Sequence, residues 1–280
     1  MDLAVSTYYY KPKKDPNLKL KSDSDIRAKI EEIHLTLPGY GWRRIRREFL
    51  KRGLHVNHKR IKRIMRESGL YSVLKRQFKI KTTNSNHPFK VYRNLLLGKK
   101  VTGINQVWAS DITYIRLEME FIYLAAIIDI YSRKIVGWAI SRSIDHKLSL
   151  KALEVAIHLR KPKPGCIHHS DRGMQYCSDV YVKHLKNAGF KISMCSIGSP
   201  KENAFIESFF KTLKHEEILL NEYSTYEKVL ERLPNFIEDV YNKKRMHSAL
   251  DYESPTEFEK KLKRMKKSTR PVQKLVEYFL

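Results

Sequence analysis

Three acidic residues stand in settings that ask for a reason. Asp111 lies in Trp108-Ala109-Ser110-Asp111-Ile112-Thr113-Tyr114, a stretch that reads as a β-strand. Aspartate is depleted in strands, so one at mid-strand calls for an ion or a charge partner. Strand alternation puts it with Ala109 and Thr113, opposite Trp108, Ile112 and Tyr114. Asp171, in His168-His169-Ser170-Asp171-Arg172-Gly173, falls just past a short strand, and ligands of α/β sheets bind at the carboxyl ends of strands. Glu207 belongs to a helix that begins near Glu202. At about 100° per residue, Asn203, Lys211 and Lys214 fall within about 40° of Glu207. One exposed strip carrying an amide, a carboxylate and two ammonium groups is thus expected, beside an apolar face of Ile206, Phe209, Phe210 and Leu213.

Gathering three carboxylates is costly unless cations compensate. Two Mg²⁺ ions about 4 Å apart do so, with Mn²⁺ as a substitute, and clamp the attacking and leaving oxygens of an in-line phosphodiester displacement. Lys211 and Lys214 would then hold nearby phosphates. Spacing alone does not select this triad, because residues 101–220 hold 12 acidic residues. Asp129 is the main rival and reads as a strand-end turn aspartate. The plainer reading of Glu207 is an i,i+4 surface pair with Lys211, worth tenths of a kcal/mol.

The elements around these residues follow from periodicity. Segments 106–115, 121–130 and 134–140 read as strands, the second nearly continuous in apolar residues and hence central. A helix over 146–159 has Asp145 as its N-cap. A short strand at 166–169, a helix at 178–188, a strand at 191–196 and helices at 202–218 and 226–241 complete a mixed sheet covered on both faces. Upstream, residues 23–70 read as three short helices, beginning near Asp25, Trp42 and Asn57, with Pro38-Gly39-Tyr40-Gly41 as a breaker. The second is expected to bury Trp42, Ile45 and Phe49. The third presents Lys59, Lys62, Arg63 and Arg66 opposite Ile61, Ile64 and Met65, as a helix entering a DNA major groove requires.

Charge follows the same division. The formal net charge is +25, and residues 1–100 carry 26 Lys+Arg against 8 Asp+Glu, a net of +18. Residues 101–220 carry 16 against 12 and residues 221–280 carry 13 against 10. A polyanion is the expected partner of the first part, bound with salt-sensitive affinity. Residues 71–104 read as a basic linker tracking along DNA, and 260–274 as a frayed basic tail. The three cysteines, Cys166, Cys177 and Cys195, are scattered, which fits a reducing compartment and neither a disulfide framework nor a zinc site. The longest apolar run, Phe121 to Ile128, has eight residues, whereas a membrane span needs about twenty. Residues 1–14 lack the apolar stretch of a secretory signal. A soluble, cytoplasmic protein is expected.

Taken with their contexts, the segments around Asp111, Asp171 and Glu207 resemble the integrase-type catalytic core of bacterial insertion-sequence transposases, in the group whose catalytic part is encoded by a second, overlapping reading frame. The likeness rests on Trp108 to Ile115, on His169 to Gly173 with Gln175-Tyr176, and on Asn203 to Phe210, with Lys214 seven residues after Glu207. Tyr241 to Leu250 with Ser254-Pro255 resemble the segment that closes such cores, the Pro38–Gly41 block the preceding helix-turn-helix, and Val5 to Tyr10 the family's start. A departure is Glu202, where relatives often have Asp.

The resemblance implies a ribonuclease-H-like mixed five-stranded sheet flanked by helices and preceded by a small all-α helix-turn-helix domain. It implies an arm at 1–22, a DNA-binding domain at 23–70, a linker at 71–104, a catalytic core at 105–260 and a tail at 261–280. It further implies metal-dependent cleavage at transposon ends and strand transfer, with Asp111, Asp171 and Glu207 catalytic and metal-holding. Double-stranded DNA, further copies of the chain and an upstream-frame protein of the same element are the implied partners. A DNA-binding regulator without catalysis and a nuclease that never joins ends are the alternatives.

Overall fold

The computed structural model describes residues 16–72, 88–196, 200–221 and 223–276. It forms two compact units, Met1–Leu74 and Lys75–Leu280. The Val5–Tyr10 segment, the middle of the expected linker and the last four residues lie outside the described residues.

The first unit holds three helices, α1 (Pro16–Thr36), α2 (Trp42–Lys51) and α3 (His58–Glu67). Ile26, Ile30 and Ile33 of α1 pack with Ile45 and Phe49 of α2 and Ile61, Ile64 and Met65 of α3 into a small core. Asn57 caps α3 by accepting the Lys59 N–H at 2.9 Å, as N-cap chemistry requires. Helix α1 begins nine residues before the expected Asp25, because the polar stretch ahead of it carries no apolar stripe to signal a helix. Its Ser22 and Asp23 side chains instead receive the guanidinium of Arg60 at 2.9 and 2.6 Å.

In the second unit five strands form one sheet: β1 (Val107–Arg116), β2 (Phe121–Asp129), β3 (Ile135–Ser141), β4 (Ile167–Ser170) and β5 (Lys191–Met194), in the order β3-β2-β1-β4-β5. The first three pair antiparallel, and β4 and β5 join parallel to β1. This is the ribonuclease-H-like arrangement. Helix α4 (His146–Arg160) is capped by Asp145, which accepts the Leu148 N–H at 3.0 Å, and packs with α5 (Asp179–Asn187) on one face. Helices α6 (Ala204–Leu213) and α7 (Tyr226–Asn235) cover the other. Alternation along β1 sends Trp108 and Ile112 into the α4 side and Val107, Ala109 and Ile115 into the α6 side.

Gly137 sets how closely α4 approaches β3. A Cβ there would lie 2.4 Å from the Ala152 carbonyl oxygen and 2.6 Å from the Ala156 Cβ, so backbone would have to move. Gly137→Ala is expected to destabilise the protein by about 1–3 kcal/mol or more, as overpacking does, read as a lowered urea midpoint with an unchanged slope.

Several boundaries differ from expectation. Helix α6 is preceded by a 3₁₀ turn, Pro200–Asn203, and widens into a π-helical segment, Lys214–Ile218. Helix α7 contains Pro234 and passes into a π-helical stretch, Phe236–Lys244, since proline removes a donor and crowds the preceding turn. The tail read as frayed is part of α8 (Pro255–Val276). Ser254 and Glu257 start it with a capping box: Ser254 N–H donates to Glu257 Oε2 at 3.0 Å and Glu257 N–H to Ser254 Oγ at 3.3 Å, with Pro255 at the first helical position. Residues 89–101 of the expected linker lie on the core: Leu95, Leu96 and Val101 pack against the α6 side and Phe89 and Tyr92 against the α4 side.

Candidate active site

Asp111 sits in the middle of β1, paired in register with Ala126 of β2. Alternation aims it at the face that α6 covers. Short β4 pairs only with Val107–Ala109, so the β4 edge of β1 is open from Ser110 onward. The Asp111 Oδ1 accepts its neighbour's Ile112 N–H at 2.8 Å, which fixes one oxygen. Asp171 follows the last residue of β4, and its Oδ1 accepts the Gly173 N–H at 2.9 Å. A Cβ on Gly173 would stand 3.0 Å from that same oxygen, so glycine allows the loop to close on the carboxylate. Glu207 lies in the first turn of α6, exposed, where the helix dipole favours an anion.

The three carboxylates share one electrostatic neighbourhood. Asp111 is held well above the ordinary aspartate range, first by burial, then by the negative charge of Asp171 and, more weakly, of Glu207. The Ile112 N–H and the Lys214 ammonium act in the opposite sense. Among the described residues no three His, Cys, Asp or Glu side chains are grouped closely enough to hold an ion between them. Lys214 is half-buried, with Nζ 4.4 Å from the Tyr114 ring centroid, and burial lowers its pKa while Asp111 raises it. Lys211 is exposed.

Asn203 departs from the expected exposed strip. It is buried, and its Nδ2 donates to the Ser110 carbonyl at 3.2 Å. The reason is the 3₁₀ turn, which breaks the 100° progression before α6 begins. Its amide thus ties the start of α6 to the residue beside Asp111. Glu202, the departure from the family pattern, accepts the Ser196 N–H at 2.6 Å and Asn94 Nδ2 at 2.7 Å. These bonds hold its carboxyl below the usual range and anchor the same turn to the end of β5. Asp129 is fully buried and accepts N–H groups of Asn105, Tyr131 and Ser132 at 2.6, 3.0 and 3.0 Å, which is the work of a turn aspartate.

Behind the carboxylates lies a polar network that pattern reading passes over as an ordinary strand. His168 and His169 alternate across β4. His168 Nε2 stands 3.0 Å from Ser110 Oγ and 2.9 Å from Tyr181 OH, while His169 Nδ1 meets Ser193 Oγ at 2.9 Å. Both are buried, and burial drives His168 down to about 3. The unfolded side chain takes its proton near pH 6.5, so stability supplied by neutral His168 is complete above that pH and falls by about 1.4 kcal/mol per unit below it. Between pH 7 and pH 5, the stability advantage of wild type over His168→Gln is expected to shrink by about 2 kcal/mol, measured by urea unfolding at each pH. A gap independent of pH would mean that His168 is not held neutral.

On α3, Lys59, Lys62 and Arg66 are exposed, with the Lys62 Nζ 4.5 Å from the centroid of Trp42. Trp42 itself is half-buried rather than in the core, because Arg43 stacks on the same ring at 4.5 Å. Arg63 differs from expectation: its guanidinium bonds Asp23 at 2.5 Å and Glu67 at 2.8 Å, so it serves the bundle instead of standing on the basic face. The sequence hides this, since Asp23 lies 40 residues away.

Comparison with known proteins agrees with this architecture. A profile described as an HTH-like domain matches residues 21–78, and two described as integrase core domains match residues 102–200 and 188–255. The insertion element IS600 31 kDa protein of Shigella sonnei is 36% identical over 262 residues, 93% of this chain and 96% of that one. The transposase for insertion sequence element IS904 of Lactococcus lactis is 40% identical over 222 residues, 79% of this chain and 87% of its own. Transposase InsF for insertion sequence IS3A of Escherichia coli is 37% identical over 223 residues, covering 79% and 77%. A helix-turn-helix-like unit, an integrase-type core and this degree of identity along nearly the whole sequence leave one assignment: the chain belongs to the insertion-sequence transposases, polynucleotidyl transferases that act on DNA in transposition and recombination.

Proposed function

We propose that Asp111, Asp171 and Glu207 are the catalytic carboxylates of a transposase that cleaves DNA at the ends of its element and joins the freed ends to target DNA. The observation that carries this reading is the setting of Asp111, in mid-strand beyond the reach of β4, where the charges of Asp171 and, more weakly, Glu207 oppose its ionisation. Such an arrangement stays folded at neutral pH only at a cost that cations offset. The donor set is all oxygen, which suits Mg²⁺ or Mn²⁺, and Glu207 is exposed in the first turn of α6. When bound, two such ions would neutralise the site and act as Lewis acids on the attacking and leaving oxygens of an in-line displacement.

The chain's own residues supply placement. Ile112 N–H and Gly173 N–H each hold one oxygen of an aspartate and so orient the carboxylate. Asn203 and Glu202 fix the entry of α6, and with it the distance of Glu207 from β1. Lys214 and Lys211 offer positive charge to phosphates flanking the reacting one. In the first step water forms a bond to phosphorus and gives up a proton, while the bond to the 3′-oxygen breaks and that oxygen takes up a proton, leaving a 5′-phosphate and a 3′-hydroxyl. In the second step the freed 3′-hydroxyl gives up its proton and bonds to a target phosphorus, while the target's own P–O3′ bond breaks and its 3′-oxygen takes up a proton, so one phosphodiester replaces another. Lys59, Lys62 and Arg66 serve recognition of the transposon end, with Arg63 holding α3 in shape.

Two DNA ends must be brought together, so the working form is a multimer on DNA in the cytoplasm, with an upstream-frame protein of the same element as a further partner; a strictly monomeric complex by light scattering would contradict this. The proposal is tested by strand cleavage and joining on labelled DNA carrying the element's ends, with Mg²⁺ or Mn²⁺. Wild type is expected to nick and join, and Glu207→Gln to bind the same DNA without reacting. Cleavage without joining would make the protein a nuclease. No reaction from wild type, even with the upstream-frame protein, would leave a DNA-binding regulator.

A further inference from the structure

At the far end of the sheet from Asp171, where β1 and β4 begin, lies a groove of about 710 Å³. Four lysines line it: Lys99 and Lys100 from the segment before β1, and Lys161 and Lys163 from the turn between α4 and β4. All four are exposed, and among the described residues no carboxylate lines the groove with them. Lys161 turns the chain in the left-handed region, φ 44°, at the end of α4, where a cation also suits the helix dipole. The other three have no such explanation.

The uncharged lining points the same way. Asn105 Oδ1 already accepts Trp108 Nε1 at 3.3 Å and Arg160 Nε at 3.1 Å. Gln106 Oε1 accepts the Thr102 N–H at 2.9 Å. Both amide oxygens are therefore taken up inside the protein, and Gln106 Nε2 donates to Thr102 Oγ1 at 3.1 Å, so neither side chain turns a free amide oxygen toward an anion. A groove lined by four ammonium groups, with no carboxylate among its described lining residues, selects an anion. Four lysines on two separate segments suit a row of phosphates better than a single one. Gln106 and Asp111 are five residues apart on an extended strand, or about 17 Å, so the groove is separate from the carboxylates.

We propose that this groove is a second DNA-contact site of the catalytic unit, holding backbone phosphates of a duplex segment other than the one at Asp111, Asp171 and Glu207. The inference rests on DNA as the substrate and does not depend on which carboxylates react. The contacts are to phosphates and carry no base specificity.

Salt dependence counts such contacts. Binding of the full-length chain to a labelled duplex is measured by fluorescence anisotropy in EDTA, so that no chemistry intervenes, for wild type and for K99Q/K100Q/K161Q/K163Q. Each phosphate contact contributes about −0.9 to the slope of log K against log salt. The quadruple variant is expected to lose about 2 to 4 from the magnitude of that slope and at least tenfold in affinity at about 0.1 M salt. A control with the same charge change elsewhere, K147Q/K151Q/K183Q/K228Q, is expected to change the slope by less than one contact. If both quadruple variants lower the slope equally, or neither does while both keep the wild-type melting temperature, the groove is not a DNA site. Should the first variant fail to fold, K99Q/K100Q and K161Q/K163Q are each expected to show about half the effect. Inorganic phosphate that displaces the duplex from wild type at constant ionic strength would also overturn the proposal, because the groove would then hold a small anion.

Discussion

Asp111→Asn is expected to abolish strand cleavage while making the metal-free protein more stable. The two effects have one cause. Burial and the charges of Asp171 and Glu207 oppose ionisation of Asp111 in the folded protein, whereas the unfolded side chain ionises freely. A carboxyl whose folded pKa is raised favours folding at low pH, and that contribution is lost as pH rises through the folded value. Ionisation of Asp111 at neutral pH therefore favours the unfolded chain, and a neutral amide of the same shape removes that bias. In EDTA, Asp111→Asn is expected to raise the melting temperature by at least about 2–4 °C, the shift that about 1 kcal/mol produces in a unit of this size. The rate of end cleavage in Mg²⁺ is expected to fall by at least about 10³-fold, or about 4 kcal/mol of transition-state stabilisation. Mg²⁺ is expected to stabilise wild type and to do little for the variant. A variant that is less stable than wild type in EDTA would show that Asp111 is held by an unseen favourable contact.

The second large effect concerns Glu216 and Arg245. Their side chains are only 9% and 7% exposed and meet in a two-pronged ion pair at 2.7 Å on both prongs. The pair joins the π-helical end of α6 to the chain leaving the π-helical end of α7. Removing one partner leaves a buried charge unmatched, so Glu216→Ala is expected to cost about 3–5 kcal/mol in urea unfolding. Replacing both, as Glu216→Leu with Arg245→Met, is expected to restore most of that loss, because the desolvation of both charges disappears with their attraction. Glu216 lies two residues beyond Lys214, whose ammonium rests on Tyr114. Glu216→Ala is therefore also expected to slow strand joining at temperatures where the protein remains folded. Recovery of stability without recovery of rate in the double variant would separate the geometry of Lys214 from the stability of the fold.

Much of this architecture is visible in the sequence, for physical reasons. The order of strands and helices follows from apolar periodicity. Asp145 and Asn57 sit where caps are needed, and the continuous apolar run of β2 marks a strand buried on both faces. The acidic positions stand out because each breaks a local rule: an aspartate at mid-strand, one at a strand's carboxyl end, a glutamate beside lysines on a helix.

What the sequence hides is long-range. Arg63 is engaged by Asp23, and His168 by Ser110 and Tyr181, across separations that no local pattern encodes. Asn203 escapes the helix wheel because one 3₁₀ turn rotates it, and the π-helical widenings of α6 and α7 leave no sequence signal beyond Pro234. The lysine groove is invisible locally as well, since its two halves come from distant segments of the chain.

The proposed role of Asp111, Asp171 and Glu207 is to hold two divalent ions together. Its most direct test is the number of Mn²⁺ ions bound per chain, read from free Mn²⁺ by electron paramagnetic resonance during titration of the full-length protein on a duplex carrying the element's end. Wild type is expected to take up two tight ions, and Asp111→Asn, Asp171→Asn and Glu207→Gln each fewer than two with DNA affinity in EDTA unchanged. The same stoichiometry in wild type and all three variants would place the metal elsewhere and contradict the account.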